Sequence, residues 1–158
     1  MRMPRSITAA LLLACFIPTG RAQFLEKKTV SLALAKKIAA VAEAEAAKNG
    51  WTVAISIVDD GGHQVYFEKM DNTQNGSIDV AYQKARSAIM FKRPTKTFEE
   101  MVAGGRSVIL ALPGALPLEG GHPIVVDGQY IGAIGVSGAK SAEDGIVARA
   151  GAESVGKP

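Results

Sequence analysis

The chain has 158 residues, with 18 lysines and arginines against 15 acids, one cysteine and 47% hydrophobic residues. That length suits a single domain with a real core, and a lone cysteine excludes both a disulfide framework and a cysteine-based metal centre. The excess of positive charge lies in the first 22 residues, which hold Arg2, Arg5 and Arg21 and no acid. The rest carries 15 charges of each sign, without the clustered basic face that nucleic-acid binding requires.

In chain order, two arginines within Met1 to Arg5 precede a largely apolar run from Ile7 to Ile17, and a small-x-small pattern ends at Ala22. This is the order of a secretory signal peptide over residues 1–22, so export is expected, with cleavage before Gln23. The run is too short for a membrane anchor, and no later segment is long enough to span a bilayer. A lipoprotein reading of Leu12 to Cys15 competes less well, because the apolar run continues through Phe16 and Ile17. Cleavage removes Cys15 and leaves a thiol-free domain over residues 23–158.

Thr29 or Ser31 can cap a helix that runs to about Lys48 and stops at Asn49-Gly50. Val30, Leu34, Ile38 and Val41 fall on one of its stripes. Residues 52–58 alternate, with Val53, Ile55 and Ile57 on one face. The turn sequence DDGGH follows, and residues 64–70 read as the returning strand. Ser77 can cap a second helix ending near Arg93, closed by Pro94, since the residue before a proline is pushed out of helical geometry. Thr97 and Glu100 have capping-box spacing for a short helix ended by Gly104-Gly105. Residues 107–112, SVILAL, are a candidate strand. After a loop over residues 113–121, a hairpin within the stretch 118–138 turns at Asp127-Gly128, and Ser141 with Asp144 marks a last helix, from Ala142 to about Val155. These connections predict an α+β domain: one antiparallel sheet flanked by helices.

The returning strand of that hairpin has glycine at 132, 135 and 138. One face carries Ile131, Ala133, Gly135 and Ser137 and is nearly bare. Glycines in a strand signal something approaching the backbone closely: the last helix, a second subunit or a flat ligand. Their spacing is not that of a dinucleotide fingerprint.

Candidate chemistry is sparse. His63 and His122 each follow a Gly-Gly pair at a strand start. Neither has acids or cysteines at zinc-site spacing, but haem iron needs only one axial side chain and an apolar pocket. No serine lies in a nucleophile elbow. Asp59-Asp60 reads as a turn former and Glu99-Glu100 as first-turn helix acids, so no catalytic residue is assigned. Arg93 and Arg106 flank the short helix and can meet carboxylates or propionates. Met70, Met90 and Met101 read as core fillers.

Three blocks, AEAEAAKNGWTVAISIVDDGGHQVYFEKMD, AYQKARSAIMFKRPT and GGHPIVVDGQYIGAIGVSGAKSAEDGIVARAGAE, resemble the GlcG/HbpS-like family of small haem-binding proteins. The resemblance covers residues 23–158 in order. It implies a profilin-like α+β fold, self-association from dimers to octamers, and binding of haem or another tetrapyrrole. For exported members it implies a role beside a redox-sensing partner protein. His63 follows the family's Gly-Gly turn and is preferred as iron ligand over His122, which sits where members often carry an aliphatic residue. The resulting expectation is an exported protein that binds, stores or senses haem. The alternatives are a haem-degrading or peroxidase-like enzyme using the bound iron, and an oligomeric scaffold without cofactor.

Overall fold

The computed structural model describes residues 25–155; the expected signal peptide, Cys15 and the cleavage point before Gln23 lie outside them. The elements are α1 (Leu32–Lys48), β1 (Ala54–Asp59), β2 (Gln64–Lys69), α2 (Ser77–Met90), α3 (Lys96–Ala103), a 3₁₀ turn (Ser107–Ala111), β3 (Gly121–Val126), β4 (Gln129–Ser137) and α4 (Ser141–Ala152). The four strands form one antiparallel sheet in the order β2-β1-β4-β3. The α+β architecture is therefore the one expected. The glycine-rich strand β4 lies inside the sheet, paired on both sides, and β2 and β3 are its edges.

Alternation along the strands divides the core between two faces. Ile55, Ile57, Ile134 and Val136 face α1 and α4, while Val58 and Ala133 face α2. Ser31 caps α1 by accepting from the Leu34 N–H. The buried stripe of that helix is Ala35, Ile38, Ala39, Ala42 and Ala46, and Val41 is exposed. The rotation away from the larger side chains follows from close packing on α4. A Cβ on Gly151 would lie 3.1 Å from the Ile38 carbonyl oxygen and 3.2 Å from Ala42 Cβ, so only small residues fit between the two helices.

The bare face of β4 is covered by α2 and not by the last helix. A Cβ on Gly135 would stand 2.0 Å from the Ala81 carbonyl oxygen and 2.4 Å from the Ala85 nitrogen. The small stripe Ala81, Ala85 and Ala88 lets α2 lie almost on the strand. The neighbouring hydroxyls of Ser77 and Ser137 meet at 3.2 Å. Burying each polar group beside the other removes most of the desolvation penalty.

Five local expectations change. SVILAL forms a 3₁₀ turn in which Val108 and Leu110 are each 65% exposed and only Ile109 is buried. Strand propensity needs a neighbour to pair with; here the backbone bonds locally, as from the Ile109 N–H to the Arg106 carbonyl. The short helix α3 starts at Lys96 after Thr95, so Thr97 is inside it and forms no cap. Helix α2 begins one residue earlier than a Ser77 cap allows, since Gly76 holds the cap position; likewise Lys140 precedes α4, and the Lys140 N–H donates to Glu143. Met90 at the end of α2 is 55% exposed and is not a core filler.

Candidate functional site

Helix α2 ends in a Schellman motif. The Lys92 N–H donates to the Ile89 carbonyl and the Arg93 N–H to the Ala88 carbonyl. The residue after the cap takes the left-handed conformation, normally a glycine position, and here it is Lys92 at φ 52°. For a non-glycine residue that conformation costs about 1–2 kcal/mol. A cation at an exposed helix C-terminus gains only about 0.3–1 kcal/mol. The turn projects Lys92 and Arg93 beside β3, and Pro94 prevents the helix from resuming.

Thr95 then ties this turn to β3. Its N–H donates to the Gly121 carbonyl at 3.0 Å, and its hydroxyl accepts from the Gly121 N–H at 2.9 Å. His122 follows directly, next to the Lys92–Pro94 turn. Its Nδ1 lies 3.1 Å from the Pro123 carbonyl oxygen. A carbonyl only accepts, so Nδ1 carries the proton in the neutral ring and Nε2 keeps its lone pair, the state a metal-binding imidazole needs.

A groove of about 470 Å³ opens here. It is lined by Lys92, Arg93 and Pro94, by His122, Pro123 and Val125 of β3, by Tyr130 of β4, and by Ala152, Glu153 and Val155 at the end of α4. Its walls are mostly proline, valine, alanine and tyrosine ring, with one imidazole, the two cations Lys92 and Arg93 at one side and the Glu153 carboxylate at the end of α4. A second groove of about 380 Å³ borders it, and Lys92 and Tyr130 belong to both. Lys92 Nζ sits 5.6 Å from the centre of the Tyr130 ring, within cation–π range. Arg93 lies 5.6 Å over the Phe98 ring.

Of the four residues singled out in the sequence, His122 and Arg93 share this groove. His63 does not: it ends the β1–β2 turn with its side chain 80% exposed. Asp59 organises that turn by accepting from the N–H groups of Gly61 and His63, as its reading as a turn former anticipates. Arg106 precedes the 3₁₀ turn and lines a separate hollow with Val108, Leu112 and Pro113. Among the described residues, no cluster of three His, Cys, Asp or Glu side chains is placed to hold a bare metal ion.

A buried ion pair underlies the entry to β3. Lys84 Nζ donates to Asp144 Oδ2 at 2.8 Å and to the Val136 carbonyl at 3.0 Å, and both side chains are 3% exposed. Asp144 Oδ1 accepts from the Ala139 N–H. Burial holds the Asp144 carboxyl above its ordinary range, offset in part by Lys84 and by backbone N–H groups. Sequence reasoning missed this pair, although Lys84 falls on the same stripe as Ala81, Ala85 and Ala88. A lysine on a buried stripe demands an acid partner. Tyr130 and Lys92 were also missed: Tyr130 gives no local signal, and only the left-handed conformation distinguishes Lys92.

An antiparallel four-stranded sheet with two helices on one face and one on the other, bearing an edge groove with a single imidazole, defines a small α+β domain. Residues 30–153 match the family model described as "Haem degrading protein HbpS-like", and the chain belongs to that family. It is 44% identical over 111 residues to protein GlcG of Escherichia coli K12, covering 70% of this chain and 83% of that protein. Its structure is similar to that of a doubly substituted Streptomyces reticuli HbpS, with a TM-score of 0.77 and 28% identity, covering 98% of this chain and all of the other. The structure of a PduOC:heme complex matches with a TM-score of 0.73 at 24% identity, over 81% of this chain and 96% of that one, a likeness of fold.

Proposed function

We propose that the protein is exported and binds haem, or a related tetrapyrrole, in the groove beside His122. There it serves storage or, with a redox-sensing partner protein, signalling. The observation that carries this reading is the His122 imidazole, its Nδ1 engaged by the Pro123 carbonyl, at an apolar groove rimmed by Lys92 and Arg93. The donor set fits the group. His122 would supply the iron ligand, Pro94, Pro123, Val125 and Val155 the apolar contact, and Arg93 a partner for a propionate. The bound iron would supply the redox and ligand-binding chemistry. His63, with its side chain exposed on the β1–β2 turn, is the weaker candidate, and so is Arg106, which lines a separate hollow.

Family membership supports the ligand class, since the family is described by its dealings with haem. Export rests on the signal-like order of residues 1–22 and is checked by the N-terminal sequence of the secreted protein, expected to start at Gln23. Among the described residues, no helix is long and apolar enough to cross a membrane.

Titration of the purified protein with haemin tests the reading. A saturable absorption band at one haem per chain is expected, and no spectral change up to excess haemin overturns it in favour of a scaffold without cofactor. The family's description as haem-degrading favours one further outcome. If the band decays with peroxide or reductant, releasing iron and a bile-pigment-like product, the protein is an enzyme.

Self-association belongs to the same reading, with Val108, Leu110 and Leu112 of the exposed 3₁₀ segment as the contact between copies. Light scattering should show a dimer or larger assembly for the wild type and a smaller species for Leu110→Asp. A wild-type monomer contradicts it.

A further inference from the structure

We infer that Lys92 is a binding residue for the carboxylates of the groove's ligand, set at the end of α2 for that contact against the backbone's preference for glycine. This rests on reading the groove as a tetrapyrrole site. Of the three non-glycine residues with positive φ among the described residues, Asn72 and Asp127 are of types that tolerate the left-handed region, and Lys92 is not. The Schellman hydrogen bonds are complete without the side chain, since they are made by backbone N–H groups. Residues held in sparsely populated backbone regions concentrate at ligand clamps, where the surroundings impose the strain.

The position explains the choice of residue. Lys92 borders both adjoining grooves, and its ammonium has no carboxylate partner among the described ion pairs, only the face of Tyr130. An ammonium with three donors and no anion is available to a ligand carboxylate. Arg93 already gives its Nε to the Phe91 carbonyl, so it offers the rest of its fork beside Lys92. Two adjacent cations at one rim match a flat ligand that carries its two carboxylates on one edge.

The experiment titrates haemin and its neutral dimethyl ester into wild type, Lys92→Gly, Lys92→Asn and Lys92→Arg, and records the thermal midpoint of each protein without ligand. The Gly and Asn variants should bind haemin about tenfold more weakly, as loss of a charged hydrogen bond implies. They should bind the ester as wild type does, and Lys92→Arg should retain haemin affinity. Lys92→Gly should unfold at an equal or higher temperature. The inference is overturned if the Gly and Asn variants bind haemin as tightly as wild type, if the ester is weakened equally, or if Lys92→Gly unfolds at a lower temperature. Wild type that binds neither compound overturns the tetrapyrrole reading and this inference together, whereas wild-type binding with indifferent variants overturns this inference alone.

Discussion

The tripeptide Gly-Gly-His occurs twice, and its two copies serve different physics. At residues 61–63 it closes an exposed hairpin: Asp59 gathers the N–H groups, the imidazole is exposed, and a Cβ on Gly61 would first meet the His63 ring, at 2.9 Å, and the Asp59 carboxylate, at 3.3 Å. At residues 120–122 the glycines cross a crowded interior. A Cβ on Gly120 would stand 2.7 Å from Lys84 Nζ, and one on Gly121 would stand 2.3 Å from the Lys84 carbonyl oxygen. The first pair lets the chain turn. The second lets it pass over the buried Lys84–Asp144 pair and deliver His122 to the groove. Identical residues thus carry different information depending on what lies beneath them, and only the second copy couples an imidazole to the core.

Breaking the ion pair should have the largest effect. Lys84→Met leaves Asp144 buried without its cation, which costs about 3–5 kcal/mol at neutral pH. The pH dependence has a definite sign. A carboxyl whose folded pKa is raised contributes most below its unfolded pKa, near 3.8, and loses that contribution as pH rises through the folded value. Removing Lys84 takes away a lowering influence and moves the upper limit of that window higher. Urea unfolding from pH 4 to 7 should therefore show the penalty of Lys84→Met shrinking as pH falls. A penalty that does not vary with pH would mean Asp144 is not the group left stranded.

Gly121→Ala comes next, at about 3 kcal/mol or more, because the added carbon meets backbone that cannot swing aside. The same change at Gly61 should stay within about 0.5 kcal/mol, since the exposed imidazole can move. Thermal unfolding of the two variants side by side measures the contrast directly. Equal losses at the two sites would erase the distinction drawn between them.

Much of this was legible in the sequence and some was not, for identifiable reasons. The Asp127-Gly128 turn, with φ of 50° and 73°, is where the dipeptide places it, because positive φ at both positions leaves few alternatives. The glycines of β4 signalled a close approach, but the identity of the approaching helix is a matter of topology. The small stripe of α2 and that of α4 read alike in one dimension, and only the strand order assigns them to opposite faces. SVILAL misled because a short apolar, branched run becomes a strand only when a neighbour completes its hydrogen bonds. For the site, residue type pointed to both histidines and both arginines. What places His122 and Arg93 at one groove is the two-way pairing of Thr95 with Gly121, a contact 26 residues apart in the chain.

The central claim is that the imidazole delivered over the buried pair, and not the one on the open turn, meets the ligand. Haemin absorption spectra of wild type, His63→Ala and His122→Ala test it most directly. The account predicts that His122→Ala shifts or abolishes the bound band while His63→Ala leaves it as in wild type. A band that survives His122→Ala unchanged and is lost in His63→Ala would contradict it.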